Sequence, residues 1–198
     1  YADEYRGKII IDNNNNCYIA STTKSTDFPI LNSSQTSNNG EQDAVIFSLN
    51  EDLSELRWST YFGGSENDAA YSIQLNSLNE IYITGGTASN DLSTTQNVIH
   101  PNHNGGIDGF VSKYDPNFNN LAATYIGNAG YNQCYFVQID VDDNVYVLGL
   151  TDQEIEIYPS NNYFITGSQF IQKLDSELDS LMISSSFGNG VIAKNITP

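Results

Sequence analysis

Basic residues are scarce. Seven Lys and Arg stand against 24 Asp and Glu, a formal charge of −17. A surface of that sign repels phosphate, because nucleic-acid binding needs a basic footprint that displaces counterions. No nucleic acid and no anionic membrane is therefore expected as a partner, which leaves cations, neutral sugars and proteins. Long apolar runs are missing as well. None approaches the ~20 residues of a membrane helix, so no membrane insertion is expected. Cysteine is confined to Cys17 and Cys134. The repeat described below assigns them to different strands of non-adjacent units, where a disulfide is hard to reach, and they read as two small core residues. Catalytic signatures are absent: there is no G-x-S-x-G, H-E-x-x-H, P-loop or dinucleotide fingerprint. The chain opens on Tyr1 without an initiator Met or a signal-like segment, which reads as processing or excision from something longer.

What is present favours strands. Apolar residues make up 39% of the 198 and aromatics 12%, enough to fill a core, with 13 Tyr and 9 Phe. Asn, Ser, Thr and Gly crowd the gaps between short apolar runs, a balance that suits strands and turns over helices.

Those runs recur every 64 residues. Cys17-Tyr18-Ile19-Ala20-Ser21, Ile81-Tyr82-Ile83-Thr84-Gly85 and Val145-Tyr146-Val147-Leu148-Gly149 share one register. Ile9 to Asp12, Ile73 to Asn76 and Val137 to Asp140 precede them at the same offset, so each pair reads as a hairpin. A third strand follows at Asp43 to Leu49, Asp108 to Tyr114 and Gln169 to Leu174. A fourth ends in Thr60-Tyr61-Phe62-Gly63-Gly64, Thr124-Tyr125-Ile126-Gly127-Asn128 and Ser185-Ser186-Phe187-Gly188-Asn189. Four antiparallel strands in a fixed long period are the signature of propeller blades. A single sandwich should not repeat itself, and a solenoid coil is shorter. The aliphatics flanking Tyr18, Tyr82 and Tyr146 fit sheets covered on both faces. The expected fold is all-β, a β-propeller segment of three blades (about 1–64, 65–128 and 129–198) within a larger propeller. Three units leave two open ends, so further blades or a partner chain are expected to cover them.

The run Thr23-Lys24-Ser25-Thr26-Asp27-Phe28-Pro29, followed by Asp43-Ala44-Val45 and Ser59-Thr60-Tyr61-Phe62-Gly63-Gly64, resembles the bacterial seven-bladed β-propeller repeat (SBBP) proteins. The second repeat keeps Asp91 but has Leu92 and Ser93 in place of Phe-Pro, and the third lacks the Asp-Phe-Pro element around Ile155 to Ile157. The resemblance implies a secreted or cell-surface bacterial protein of the kind exported by type IX secretion and tied to adhesion or gliding motility, with no catalytic residues to carry over.

The connections are lopsided. Turns at Asp12 to Asn16, Asn76 to Glu80 and Asp140 to Asn144, and at Asn50 to Glu55, Asp115 to Asn120 and Asp175 to Glu177, are short. The second-to-third-strand connections, about Thr22 to Gln42, Thr87 to Ile107 and Thr151 to Gly167, are far longer than the ~4 to 6 residues usual in compact domains. Long loops on one face of a rigid scaffold are where binding concentrates. The candidate binding residues on that face are Asp27, Phe28, Asp91, His100, His103 and Tyr158. The competing reading makes these loops ordered caps anchored by Phe28, Leu92 and Tyr158. No cofactor is expected. Calcium is weighed at Asp140, Asp142 and Asp143, against the ordinary use of Asx residues in tight turns. His100 and His103 as a metal pair are disfavoured by Pro101 between them. The leading reading is a non-catalytic extracellular scaffold for protein or glycan. The alternatives are a carbohydrate-active propeller enzyme, whose paired carboxylates would meet across blades, or a passive spacer in an exported protein.

Overall fold

A computed structural model describes residues 7–160 and 167–188 of the chain. These residues form three four-stranded antiparallel sheets, each a meander of consecutive strands. The first holds β1 (Lys8–Ile11), β2 (Cys17–Thr23), β3 (Asp43–Leu49) and β4 (Leu56–Phe62). The second holds β5 (Asp68–Leu75), β6 (Ile81–Thr87), β7 (Asp108–Tyr114) and β8 (Asn120–Ile126). The third holds β9 (Asn132–Ile139), β10 (Val145–Thr151), β11 (Gln169–Leu174) and β12 (Leu181–Phe187). The all-β, blade-like architecture expected from the 64-residue period is thus present. Among the described residues no helix is long and apolar enough to cross a membrane.

The hairpins form where they do because an Asx side chain heads each one. Asp12, Asn76 and Asp140 accept hydrogen bonds from backbone N–H groups two and four residues on, at 2.8–3.0 Å. The left-handed residue each turn needs is Asn15, Asn79 or Asp143, types that tolerate it. Asn50, Asp115 and Asp175 head the outer hairpins in the same way. There the left-handed residue is Leu53, Phe118 or Leu178, a conformation that costs a non-glycine residue about 1–2 kcal/mol. Burial offsets that cost in two of the three. Phe118 stacks on Tyr114 at 4.2 Å and reaches Trp58 of the first sheet at 4.3 Å, while Leu178 is wholly buried. The third of these turns runs to Ser180, closed by the Asp175 N–H on the Ser180 carbonyl, rather than ending at Glu177. Leu178 is apolar and reads as the start of a strand, but it serves as a turn residue.

Two cores separate three sheets. Tyr18, Ile46, Trp58 and Phe62 of the first sheet meet Ile73, Ile81, Ile83, Phe110 and Tyr114 of the second. Tyr82, Val111 and Ile126 on the second sheet's other face meet Val137, Val145, Val147, Phe170 and Leu174 of the third. Both β6 and β7 are consequently buried along their whole length, the two-faced burial expected of a blade. The inner strands gather: β5 packs against β1 and β9, and Gln74 Nε2 donates to Gln138 Oε1 at 2.8 Å. Cys17 in β2 and Cys134 in β9 are buried and unpaired. Burial pushes the Cys134 thiol up to about 12, which makes it inert as a nucleophile.

Candidate functional site

The long connections do not stand free of the sheets. Each runs back along the outer strand of its own sheet as a partial fifth strand. Leu31 and Ser59 exchange backbone hydrogen bonds, Tyr61 N–H donates to the Gln35 carbonyl, Thr95 to Ala123 and Tyr125 to His100, and Tyr158 pairs with Ser184 in both directions. In the third connection, residues 161–166 lie outside the described residues.

Two tyrosines fasten these connections. The Tyr61 hydroxyl accepts the Phe28 N–H at 3.1 Å and donates to the Ser25 carbonyl at 2.9 Å. Tyr125 does the same for the Leu92 N–H and the Ser89 carbonyl, at 3.1 and 3.0 Å. Burial pushes the Tyr125 phenol up to about 12, so it stays a donor at any physiological pH.

The residues singled out from the sequence are distributed along this arrangement and do not converge. Asp27 closes its own turn with Ser25. Phe28 packs on Phe47 and Tyr61. Asp91 accepts the Ser65 N–H at 2.9 Å and so caps the link between the first and second sheets. Asp152 caps the next link through the Tyr131 N–H at 2.7 Å. The His100 N–H donates to Thr124 Oγ1, and burial lowers the affinity of its ring for a proton. His103 packs edge-on against Tyr125, with Nε2 3.9 Å from Asp108. The Tyr158 ring is half exposed. Asp140 is engaged by backbone N–H groups, by Asn144 and by Lys173 Nζ at 2.9 Å. The Lys173 ammonium, with Asn144, holds the Asp140 carboxyl well below the usual carboxylate range. Asp142 and Asp143 supply the rest of that turn as an amide donor and the left-handed residue. Among the described residues, no three His, Cys, Asp or Glu side chains converge.

Carboxylates do approach across sheets, at Gly63. A Cβ there would lie 2.7 Å from Asp43 Cγ and 2.7 Å from Asp68 Oδ2. Both acids are fully buried. Asp43 is held by the Asn39 and Gly40 N–H groups and Gln35 Nε2, Asp68 by the Gly64 N–H and the Ser89 hydroxyl. Burial raises both, Asp68 to about 6, with repulsion from Asp43 adding to it. Buried and held by backbone amides and by the Gln35 and Ser89 side chains, this pair clamps a junction, and Asp68 also belongs to the wall of the cavity beside it.

Beside that junction a cavity of about 400 Å³ opens on the face from which the long connections depart. Lys24 and Glu41 come from the first long connection, Asn67 and Tyr71 from the start of β5, Gly86 and Ala88 from the end of β6, and Tyr131 and Gln133 from the start of β9. Backbone clasps fix these walls, with the Asp68 N–H on the Gln42 carbonyl and the Asn132 N–H on the Ile107 carbonyl, both 2.7 Å. Tyr71 and Tyr135 are the extra residues of equivalent bulges in β5 and β9, and their rings stack at 5.2 Å. Bulges re-aim side chains in this way beside binding sites. The Tyr135 hydroxyl donates to Gln133 Oε1 at 2.6 Å. A Cβ on Gly86 would press within 2.9 Å of the Gln133 side chain, so glycine makes room for it. None of these wall residues is among the six candidates named from the sequence, although Lys24, Glu41 and Ala88 lie in the long connections assigned to that face. The one available signal was that Asn67 and Tyr131, like Tyr71 and Tyr135, are 64 residues apart.

No known protein family and no curated protein matches the chain.

Proposed function

We propose that the chain is a segment of a larger β-propeller that serves as a non-catalytic binding or adhesion scaffold at a bacterial cell surface, engaging protein or glycan on the long-connection face. The observation that carries the reading is the cavity on that face, which is the size of small-molecule sites and is walled by all three sheets. Membership of the SBBP repeat family is supported by the way its motif segments meet, since the Tyr of Ser-Thr-Tyr holds the amide of Phe28 in Asp-Phe-Pro. Export by type IX secretion and a part in gliding follow from that resemblance alone.

Further blades as partners are supported by equivalent positions with opposite burial. Ile73 and Val137 are wholly buried, yet Ile9, at the same place in the first sheet, is 64% exposed. Phe118 and Leu178 plug a neighbouring sheet, and Leu53 is 61% exposed. At the other end, Ile46 and Val111 are buried where Ile171 is 39% exposed. Burying an aliphatic side chain of this size contributes about 1.5–3 kcal/mol, so fusing one more repeat at either end should raise the melting temperature.

A glycan array run beside a broad glycosidase screen tests the scaffold reading. Binding without turnover is the expected result. Turnover would replace it with the carbohydrate-active enzyme, and silence in both assays would favour the spacer.

A further inference from the structure

We infer that the cavity between the three sheets is a subsite for one neutral, hydroxyl-rich sugar unit, with the part-buried Tyr131 and the buried Gln133 among its walls. The inference rests on the scaffold reading and chooses between the two ligand classes that reading leaves open.

Size is the first argument. About 400 Å³ holds a small molecule, whereas a folded protein binds through some 800 Å² of surface on each side, which this depression does not supply. Chemistry is the second. A pyranose presents hydroxyls that both donate and accept, around a ring with apolar C–H faces. The walls offer a complementary set: amides at Gln42, Asn67 and Gln133, acids at Glu41 and Asp68, a hydroxyl at Thr87, an ammonium at Lys24, and tyrosines at 71 and 131. Amide and carboxylate groups meet hydroxyls with defined donors and acceptors, and aromatic rings give rigid contact area.

Preorganisation is the third. Gln133 is almost fully buried, its Oε1 is fixed by the Tyr135 hydroxyl, and its Nε2 lies over Gly86, a residue of the cavity wall. The bulged Tyr71 is braced by its stack on Tyr135. A ligand therefore meets side chains that are already ordered, which lowers the entropic cost of binding. The chain's excess of acid works against anionic sugars.

The test uses the whole chain titrated with a panel of neutral methyl glycosides and the matching uronic acids, followed by NMR shifts and calorimetry. Two variants accompany it. Ala88→Phe fills the rim from a half-exposed position, and Tyr131→Ala removes the aromatic ring while Tyr131→Phe retains it. At least one neutral glycoside should bind, at least tenfold more weakly to Ala88→Phe and Tyr131→Ala at an unchanged melting temperature, with Tyr131→Phe near wild type and uronic acids weaker. Absence of glycoside binding to the wild type overturns the subsite, as does binding indifferent to both variants. A protein ligand that binds the same face regardless of Ala88→Phe, with no glycoside bound, would overturn the subsite and leave the scaffold reading intact. If neither glycan nor protein binds, both readings fall.

Discussion

The two junctions between sheets share one backbone plan and differ in one charge. At the first, Asp43 and Asp68 flank Gly63. At the second, Asp108 and Asn132 occupy the equivalent places around Gly127, where a Cβ would lie 2.7 Å from the Asn132 side chain. Asn132 donates to the Asn128 carbonyl at 3.0 Å, whereas Asp68 can only accept, and its Oδ1 has no hydrogen-bond partner. The amide's Nδ2 finds an acceptor there, although its Oδ1, like Asp68 Oδ1, has no hydrogen-bond partner. A carboxylate is stable there mainly when it carries a proton.

Equivalent positions in unlike surroundings let that lesson be tested by paired variants. Phe118→Ala should cost about 3–5 kcal/mol, as loss of a buried aromatic does, while Leu53→Ala at the open end should cost less than about 0.5 kcal/mol. Urea unfolding of the two variants compares them, and equal losses would mean that the plug does not depend on a neighbouring sheet.

Next in size is Tyr125→Phe, which strands the Leu92 N–H and the Ser89 carbonyl and should cost about 2–3 kcal/mol. Tyr61→Phe should cost less, because Phe28 and Ser25 are half-buried and water can replace the phenol. In the third sheet Ser186 occupies this position, and the backbone pairing of Tyr158 with Ser184 holds the connection there.

Asp68→Asn should stabilise the chain by about 1–3 kcal/mol at pH 7. Asp68 binds its proton more tightly when folded, at about 6 against an ordinary 3.8. Its contribution to stability is therefore full below about pH 4 and is lost as pH rises through 6. The gain from Asn should vanish at pH 4, and Asn132→Asp should show the mirror pattern at the second junction. Melting curves from pH 4 to 8 decide this, and a pH-independent gain would disprove the charge argument. The smallest effect belongs to Asp140. With its oxygens engaged by Lys173, Asn144 and backbone amides, millimolar calcium should leave the melting temperature unchanged.

Sheet membership was legible because strand, turn and period are local properties. Cys17, Ile81 and Val145 each open a strand at one spacing, and Asp12, Asn76 and Asp140 each head a turn. The third outer hairpin runs past Glu177 because Leu178, apolar yet in a left-handed turn conformation, is buried against the neighbouring sheet instead of starting a strand. The site was far less legible. Tyr71, Tyr131 and Gln133 belong to strand starts in different repeats and converge only once the sheets stack. Asp91, an evident loop acid, also caps the Ser65 amide through Oδ1, a contact that forms only once the two sheets meet.

The partial fifth strand laid along β4, β8 and β12 has a consequence for assembly. An outer strand whose amides and carbonyls are already claimed offers no template for a foreign strand. Rim-to-rim pairing of strands into fibres is thereby discouraged, while the sheet faces stay open to packing.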